Sequence, residues 1–127
     1  MIVGVGIDIV EVSRIESSWQ RFGERFLRRI LLQPEVDYCL SHKSPGPHIA
    51  ARFAAKEAVS KAFGTGIGAH LGWHDIEVFR KETGEPTIVL HEKGLLLMQE
   101  RGGHAIFLSL SHTAAHAAAV AVIDRRD

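Results

Sequence analysis

The segment from Ala50 to Gly68 limits the fold more than any other part of the chain. Ala51, Ala54, Ala55, Ala58 and Ala62 recur at helical spacing and form a broad face of small side chains. Small side chains let a neighbouring element pack close, so this helix is expected to be buried along that face and held rigidly. The pattern predicts a helix from about His48 to Phe63, with Gly64 as its stop. Phe53, Glu57 and Lys61 share another stripe, and Arg52 and Lys56 add positive charge beside it. A carboxylate is a hard oxygen donor suited to Mg²⁺, and a lysine is a point charge suited to phosphate. The glycine-rich run Gly64-Thr65-Gly66-Ile67-Gly68 follows at once. Such turns let backbone N–H groups approach an anion closely. The block suggests a metal–phosphate site on a rigid scaffold. On a solvated helix, a glutamate and lysine four residues apart would be only an ion pair of about 0.3–0.5 kcal/mol, so the site reading needs a second ligand.

Asp8 is the candidate. Residues 1–10 alternate, with Val3, Val5, Ile7 and Ile9 on one face of a strand and Gly4, Gly6 and Asp8 on the other. Two glycines beside an aspartate permit another element to approach closely. An aspartate at a strand end also serves as a turn cap. Two carboxylates completed by phosphate oxygens and water are a usual way to hold Mg²⁺.

The other elements follow from local signals. Ser13-Arg14-Ile15-Glu16 matches a capping box and predicts a helix from Ser13. Gly23 breaks or kinks it before residues 24–32 resume. Pro34 opens a short helix reaching about His42, and residues 43–47 read as a loop. Residues 75–80 and 86–91 are expected to be strands joined by a turn, residues 92–101 a helix, and residues 106–111 and 117–123 a closing hairpin. The order predicts one α+β domain over residues 1–127, with a largely antiparallel sheet and packed helices.

Zero formal net charge argues against nucleic acid as a default partner. The longest apolar run, near residues 117–123, is too short to span a bilayer. The single Cys39 forms no internal disulfide, and Met1 leads straight into a strand rather than a signal pattern, so a cytoplasmic location is expected. Charge is nevertheless uneven: residues 13–30 carry five arginines against Glu16 and Glu24. Arg14, Arg21, Arg25 and Arg28 would fall within ~60° on one continuous helix, a stripe suited to an acidic protein, with Trp19 or Phe22 as an apolar anchor.

Three blocks together resemble the signatures of 4′-phosphopantetheinyl transferases: Gly6-Ile7-Asp8-Ile9-Val10, Arg52-Phe53-Ala54-Ala55-Lys56-Glu57-Ala58, and Lys61-Ala62-Phe63-Gly64-Thr65-Gly66-Ile67-Gly68. The short length and the glycine-rich tail are similar to the holo-acyl-carrier-protein synthase group, and the resemblance covers nearly the whole chain. Phe53 stands where the wider superfamily often has tryptophan. The resemblance implies transfer of the 4′-phosphopantetheine arm of coenzyme A to a serine of apo acyl carrier protein, in fatty acid biosynthesis. The second product is adenosine 3′,5′-bisphosphate. It implies Mg²⁺ on Asp8 and Glu57, Lys61 against the pyrophosphate, and homotrimers with active sites at subunit interfaces. The general base is Glu57 or a metal-bound water.

Several further contacts have two readings each. Arg52 reaches a phosphate, such as the 3′-phosphate, or is an exposed helix arginine. Gly64, Thr65 and Gly66 offer N–H groups to the nucleotide, or form a helix cap and turn. His112 contacts phosphate or makes a local hydrogen bond at a hairpin end. Acyl carrier proteins are strongly acidic, which gives Arg14, Arg21, Arg25 and Arg28 a partner. Two other functions compete: a different Mg²⁺–nucleotide phosphotransferase, and a non-catalytic module that docks an acidic protein.

Overall fold

The computed structural model describes residues 1–126. Its elements run in chain order as β1 (Ile2–Glu11), α1 (Val12–Phe22), α2 (Glu24–Ile30), α3 (Gln33–Leu40) and α4 (Pro45–Phe63). After a 3-10 turn at Trp73–Asp75 come β2 (Ile76–Arg80), β3 (Pro86–Leu90), α5 (Lys93–Glu100), β4 (Ala105–His112) and β5 (His116–Asp124). One antiparallel sheet has the order β1-β5-β4, and β2 and β3 form a separate antiparallel hairpin. The α+β class and the antiparallel sheet are as expected.

The sheet lies on α4 because both surfaces are made of small residues. A Cβ on Gly4 would overlap the carbonyl of Ala62, and one on Gly6 would overlap that of Ala58. Strand and helix backbones are therefore in near contact, and Ala54, Ala55 and Ala58 are fully buried. This contact fixes Asp8, the next residue on that face of β1, relative to α4. The opposite face of β1 is left uncovered: Val5, Ile7 and Ile9 are 57%, 67% and 68% exposed. Cross-strand partners extend this apolar face, with Val5 beside Val122, Ile7 beside Val120 and Phe107 also beside Val122.

Three local expectations are corrected. Helix α1 begins at Val12 after Glu11, with no side-chain cap, so Ser13 lies inside the first turn and the capping box does not form. Strand β1 runs into the helix without a loop, and the Val12 N–H donates to the Ala115 carbonyl at 2.9 Å. A tertiary bond thus takes a donor that capping would have satisfied. Helix α4 begins at Pro45, not near His48. Proline is well tolerated in a first turn because its missing N–H would have no helical partner there. The arginine stripe is not continuous either. Gly23 (φ 62°, ψ −141°) separates α1 from α2, so Arg14 and Arg21 stand on one helix and Arg25 and Arg28 on the next.

Lys56 is the largest correction. It was expected to add positive charge beside the Glu57 stripe, and it is instead fully buried in an ion pair. Its Nζ donates to the Ile30 carbonyl at 2.7 Å, to Glu35 Oε1 at 2.8 Å and to the Trp73 carbonyl at 3.1 Å. Glu35 in turn accepts from the Leu32 N–H at 2.7 Å and the Val78 N–H at 2.8 Å. One ion pair therefore ties α4 to the end of α2, the start of α3 and the strand β2.

Candidate active site

Asp8, Glu57 and Lys61 come together where β1 crosses the C-terminal half of α4. Lys61 Nζ donates to Asp8 Oδ1 at 2.9 Å and to the Ile7 carbonyl at 3.1 Å. The lysine of the helix stripe thus reaches across to the strand. Burial pushes the Glu57 carboxyl above the usual carboxylate range, the Asp8 charge pushes it further, and Lys61 opposes both. A buried carboxylate beside a second negative charge is a site that a cation relieves. Among the described residues no cluster of three metal-ligating side chains occurs. Two carboxylate ligands, with the remaining positions left to water and phosphate oxygens, suit Mg²⁺, which dehydrates reluctantly and is seldom caged by protein alone.

Arg52 and His112 belong to a second cluster. They line a cavity of about 300 Å³ together with His48, Arg80 and Ser111. Arg52 is 3% exposed, which overturns the exposed-arginine reading. Its guanidinium lies over the Tyr38 ring at 4.1 Å, and its Nε is buried without a hydrogen-bond partner. His48 stands beside His112, with ring centroids 5.3 Å apart. The spacing along α4 puts the clusters apart: nine residues separate Arg52 from Lys61, a turn of about 180° around a helix. Asp8 enters from β1 and His112 from β4, on opposite sides of β5. Within one protomer the two groups face different directions.

Gly64, Thr65 and Gly66 form the helix end. Gly64 is left-handed at φ 82°. Its N–H donates to the Lys61 carbonyl at 2.9 Å, and those of Thr65 and Gly66 donate to the Ser60 carbonyl at 3.2 Å. These amides are turned toward α4 as a cap, which corrects the expectation that they are free for a nucleotide. Arg14, Arg21, Arg25 and Arg28 are all exposed. Arg25 and Arg29 flank a groove with Phe22 and Phe26, and Arg21 lies over the Phe22 ring at 5.1 Å.

The family model described as the 4′-phosphopantetheinyl transferase superfamily matches residues 4–121, a span that includes both clusters. The chain belongs to this superfamily. Its place in the holo-[acyl-carrier-protein] synthase group rests on near full-length relatives. The holo-[acyl-carrier-protein] synthase of Koribacter versatilis is 50% identical over 124 residues, covering 98% of this chain and 99% of that protein. The crystal structure of the Neisseria meningitidis synthase superposes with a TM-score of 0.91 at 33% identity, covering 98% of this chain and 100% of that one. The Helicobacter pylori synthase in complex with coenzyme A superposes with a TM-score of 0.85 at 38% identity, covering 94% and 99%. This chain is thus an enzyme of the phosphopantetheinyl transferase family, and the α+β fold is the family's fold.

Sequence reasoning singled out Asp8, Glu57, Lys61, Arg52 and His112 but missed His48, Arg80, Tyr38 and Glu35. His48 lies one helical turn before Arg52, and that spacing alone could have joined them. Arg80 and Tyr38 carry no such local signal, because only the tertiary fold brings β2 and α3 to α4.

Proposed function

We propose that this enzyme transfers the 4′-phosphopantetheine group of coenzyme A to a serine of apo acyl carrier protein, with Mg²⁺, releasing adenosine 3′,5′-bisphosphate in fatty acid biosynthesis. The observation that carries the reading is the Asp8–Glu57–Lys61 cluster on the rigid contact between β1 and α4. The coenzyme A complex of the Helicobacter pylori relative supports the choice of substrate.

Mg²⁺, when bound by Asp8 and Glu57, would supply charge stabilisation at the pyrophosphate and lower the pKa of bound water. The chain's own residues do the rest. Lys61 orients the Asp8 carboxylate and holds a positive charge next to the pyrophosphate. The serine hydroxyl attacks the β-phosphorus, and the bond to the bridging oxygen breaks, so that charge leaves with adenosine 3′,5′-bisphosphate. Transfer of this kind needs positioning and charge stabilisation more than covalent help. Glu57, or a water on the metal, would take the serine proton. Arg52 and His112 suit the 3′-phosphate. Gly64, Thr65 and Gly66 end the helix beside Lys61 and leave a surface without bulky side chains for the nucleotide.

The two clusters face different directions, so a complete site draws on a second copy of the chain. The uncovered face of Val5, Ile7, Ile9 and Phe107 supports a homotrimer in which one protomer's carboxylates meet another's Arg52 and His112. Sedimentation of the purified protein is expected to show a trimer, and Ile7→Glu is expected to yield smaller, inactive species. A fully active monomer would remove the interface site.

Arg14, Arg21, Arg25 and Arg28 suit docking of the acidic carrier, with Phe22 and Phe26 as apolar anchors. Charge reversal at Arg14 and Arg21 is expected to weaken carrier binding by about 10-fold or more at low salt, and the loss should shrink as salt rises. Unchanged affinity would remove the docking role. The chain retains its carboxylate site, which favours the enzyme over a bare docking module. Release of adenosine 3′,5′-bisphosphate from coenzyme A, set against any nucleoside diphosphate formed from ATP, separates this reading from another Mg²⁺ phosphotransferase. No described helix is long and apolar enough to cross a membrane. The proposal places the enzyme in the cytoplasm, with the carrier protein and coenzyme A as partners and no nucleic acid ligand.

A further inference from the structure

His48 lines the cavity between Arg52 and Arg80 and is backed by a second imidazole. His42 and His48 stack with ring centroids 3.6 Å apart and planes 24° apart. His48 also meets the edge of His112 at 5.3 Å and that of Tyr38 at 6.0 Å. Tyr38 collects the remaining charge: Arg52 lies over its ring at 4.1 Å and Arg80 at 5.6 Å. The His42 Nδ1–H donates to the Tyr38 carbonyl at 2.9 Å, which fixes that ring. The charged and basic groups around His48 are His42 after α3, Arg52 on α4, Arg80 on β2 and His112 on β4. Within one protomer no carboxylate lines this cavity among the described residues; in the trimer proposed above, Asp8 and Glu57 of a second copy would be the carboxylates that approach it. Glu77 lies on the far side of Arg52 and Arg80, bonded to His91 at 2.8 Å.

This arrangement disfavours a further positive charge. Burial, then His42 and His112, then the two arginines hold the His48 imidazole down to about 4, well below the usual histidine range. A doubly charged anion in the cavity would offset the charges of Arg52 and Arg80 and so favour the protonated imidazole.

We propose that His48, backed by its stack on His42, takes up a proton when a phosphate monoester enters the cavity between Arg52, Arg80 and His112, so that binding tightens as pH falls toward neutrality. The proposal rests on the reading that the 3′-phosphate end of coenzyme A binds here. It adds that the substrate's phosphate and a proton enter together. The sign is set by linkage: the ligand raises the imidazole's affinity for protons, and protons raise the protein's affinity for the ligand by the same factor. One full proton corresponds to about tenfold in affinity per pH unit. The phosphate's own second ionisation near pH 6 opposes the trend in more acidic solution, so the useful window lies above it.

The test is calorimetric titration with adenosine 3′,5′-bisphosphate between pH 8 and 6.5, in buffers of different ionisation enthalpy. The wild type is expected to take up protons on binding and to tighten by about threefold or more across the window. His48→Phe keeps a flat ring on His42 but cannot titrate, so uptake and pH dependence should vanish. Imidazole NMR titration of the unaltered protein gives a second readout: the His48 resonance should move to a higher apparent pKa when the bisphosphate is added. No proton uptake, or equal uptake in His48→Phe, overturns the proposal even if the enzyme transfers phosphopantetheine. Uptake that depends on His48 in a protein unable to transfer phosphopantetheine would overturn the proposed function and leave this inference standing.

Discussion

Glu57→Gln is expected to lower phosphopantetheine transfer by about 10²–10³-fold, the loss seen when one preorganised electrostatic group is removed, while the folded protein loses no stability. The two halves of this result have one cause. Burial and the Asp8 charge raise the Glu57 pKa in the folded chain, so the folded state holds that proton more tightly than the unfolded state does. The ionised carboxylate is therefore a cost to folding. That cost grows as pH rises from the ordinary glutamate range through the raised folded value, and it is complete above it. Glutamine removes it, so the metal-free variant should melt at or above the wild-type Tm at neutral pH. The difference should disappear in acid, where both side chains are neutral. Added Mg²⁺ should raise Tm in the wild type, because the ion binds only the folded site, but not in the variant. The same shift predicts an acidic limb of the activity profile at higher pH than an ordinary glutamate would give, since protonated Glu57 cannot bind metal. Full activity in Glu57→Gln would remove the carboxylate from the mechanism.

Lys56→Met is expected to destabilise the protein by about 3–5 kcal/mol, the cost of leaving one half of a buried ion pair uncompensated. Burial pulls the Lys56 ammonium below the ordinary lysine range, and the Glu35 carboxylate opposes that pull. Without the ammonium, Glu35 keeps only its bonds from Leu32 and Val78. Adding Glu35→Gln to Lys56→Met should recover part of the loss, because the amide carries no uncompensated charge, although its single oxygen can accept from only one of the two N–H groups, which reach different oxygens of Glu35. Urea unfolding of the single and double variants measures the coupling. Strict additivity of the two substitutions would mean that the pair does not act as a unit.

These two residues show what the chain reveals before folding. Glu57 was legible because helical spacing, hydrophilic type and a following glycine cap are all local, and Asp8 because strand alternation sets it beside Gly4 and Gly6. The element order was legible for the same reason. The buried role of Lys56 was not legible because its partners come from Ile30, Glu35 and Trp73, and no sequence period links those positions. Gly64 read equally well as a phosphate turn or a helix cap. Only the hydrogen bonds to Lys61 and Ser60 decide for the cap. The arginine stripe depended on a continuous helix, and one glycine at positive φ divided it. The histidine wall stayed hidden because His42, His48 and His112 come from three separate segments.

The most direct test is the intact mass of apo acyl carrier protein after incubation with this enzyme and coenzyme A, with and without Mg²⁺. The expected result is a gain of one phosphopantetheine group on the carrier's serine, present with Mg²⁺, absent after chelation and lost in Glu57→Gln. A carrier whose mass does not change under any of these conditions would contradict the proposed transfer, and a gain indifferent to both Mg²⁺ and Glu57 would contradict the assignment of the site.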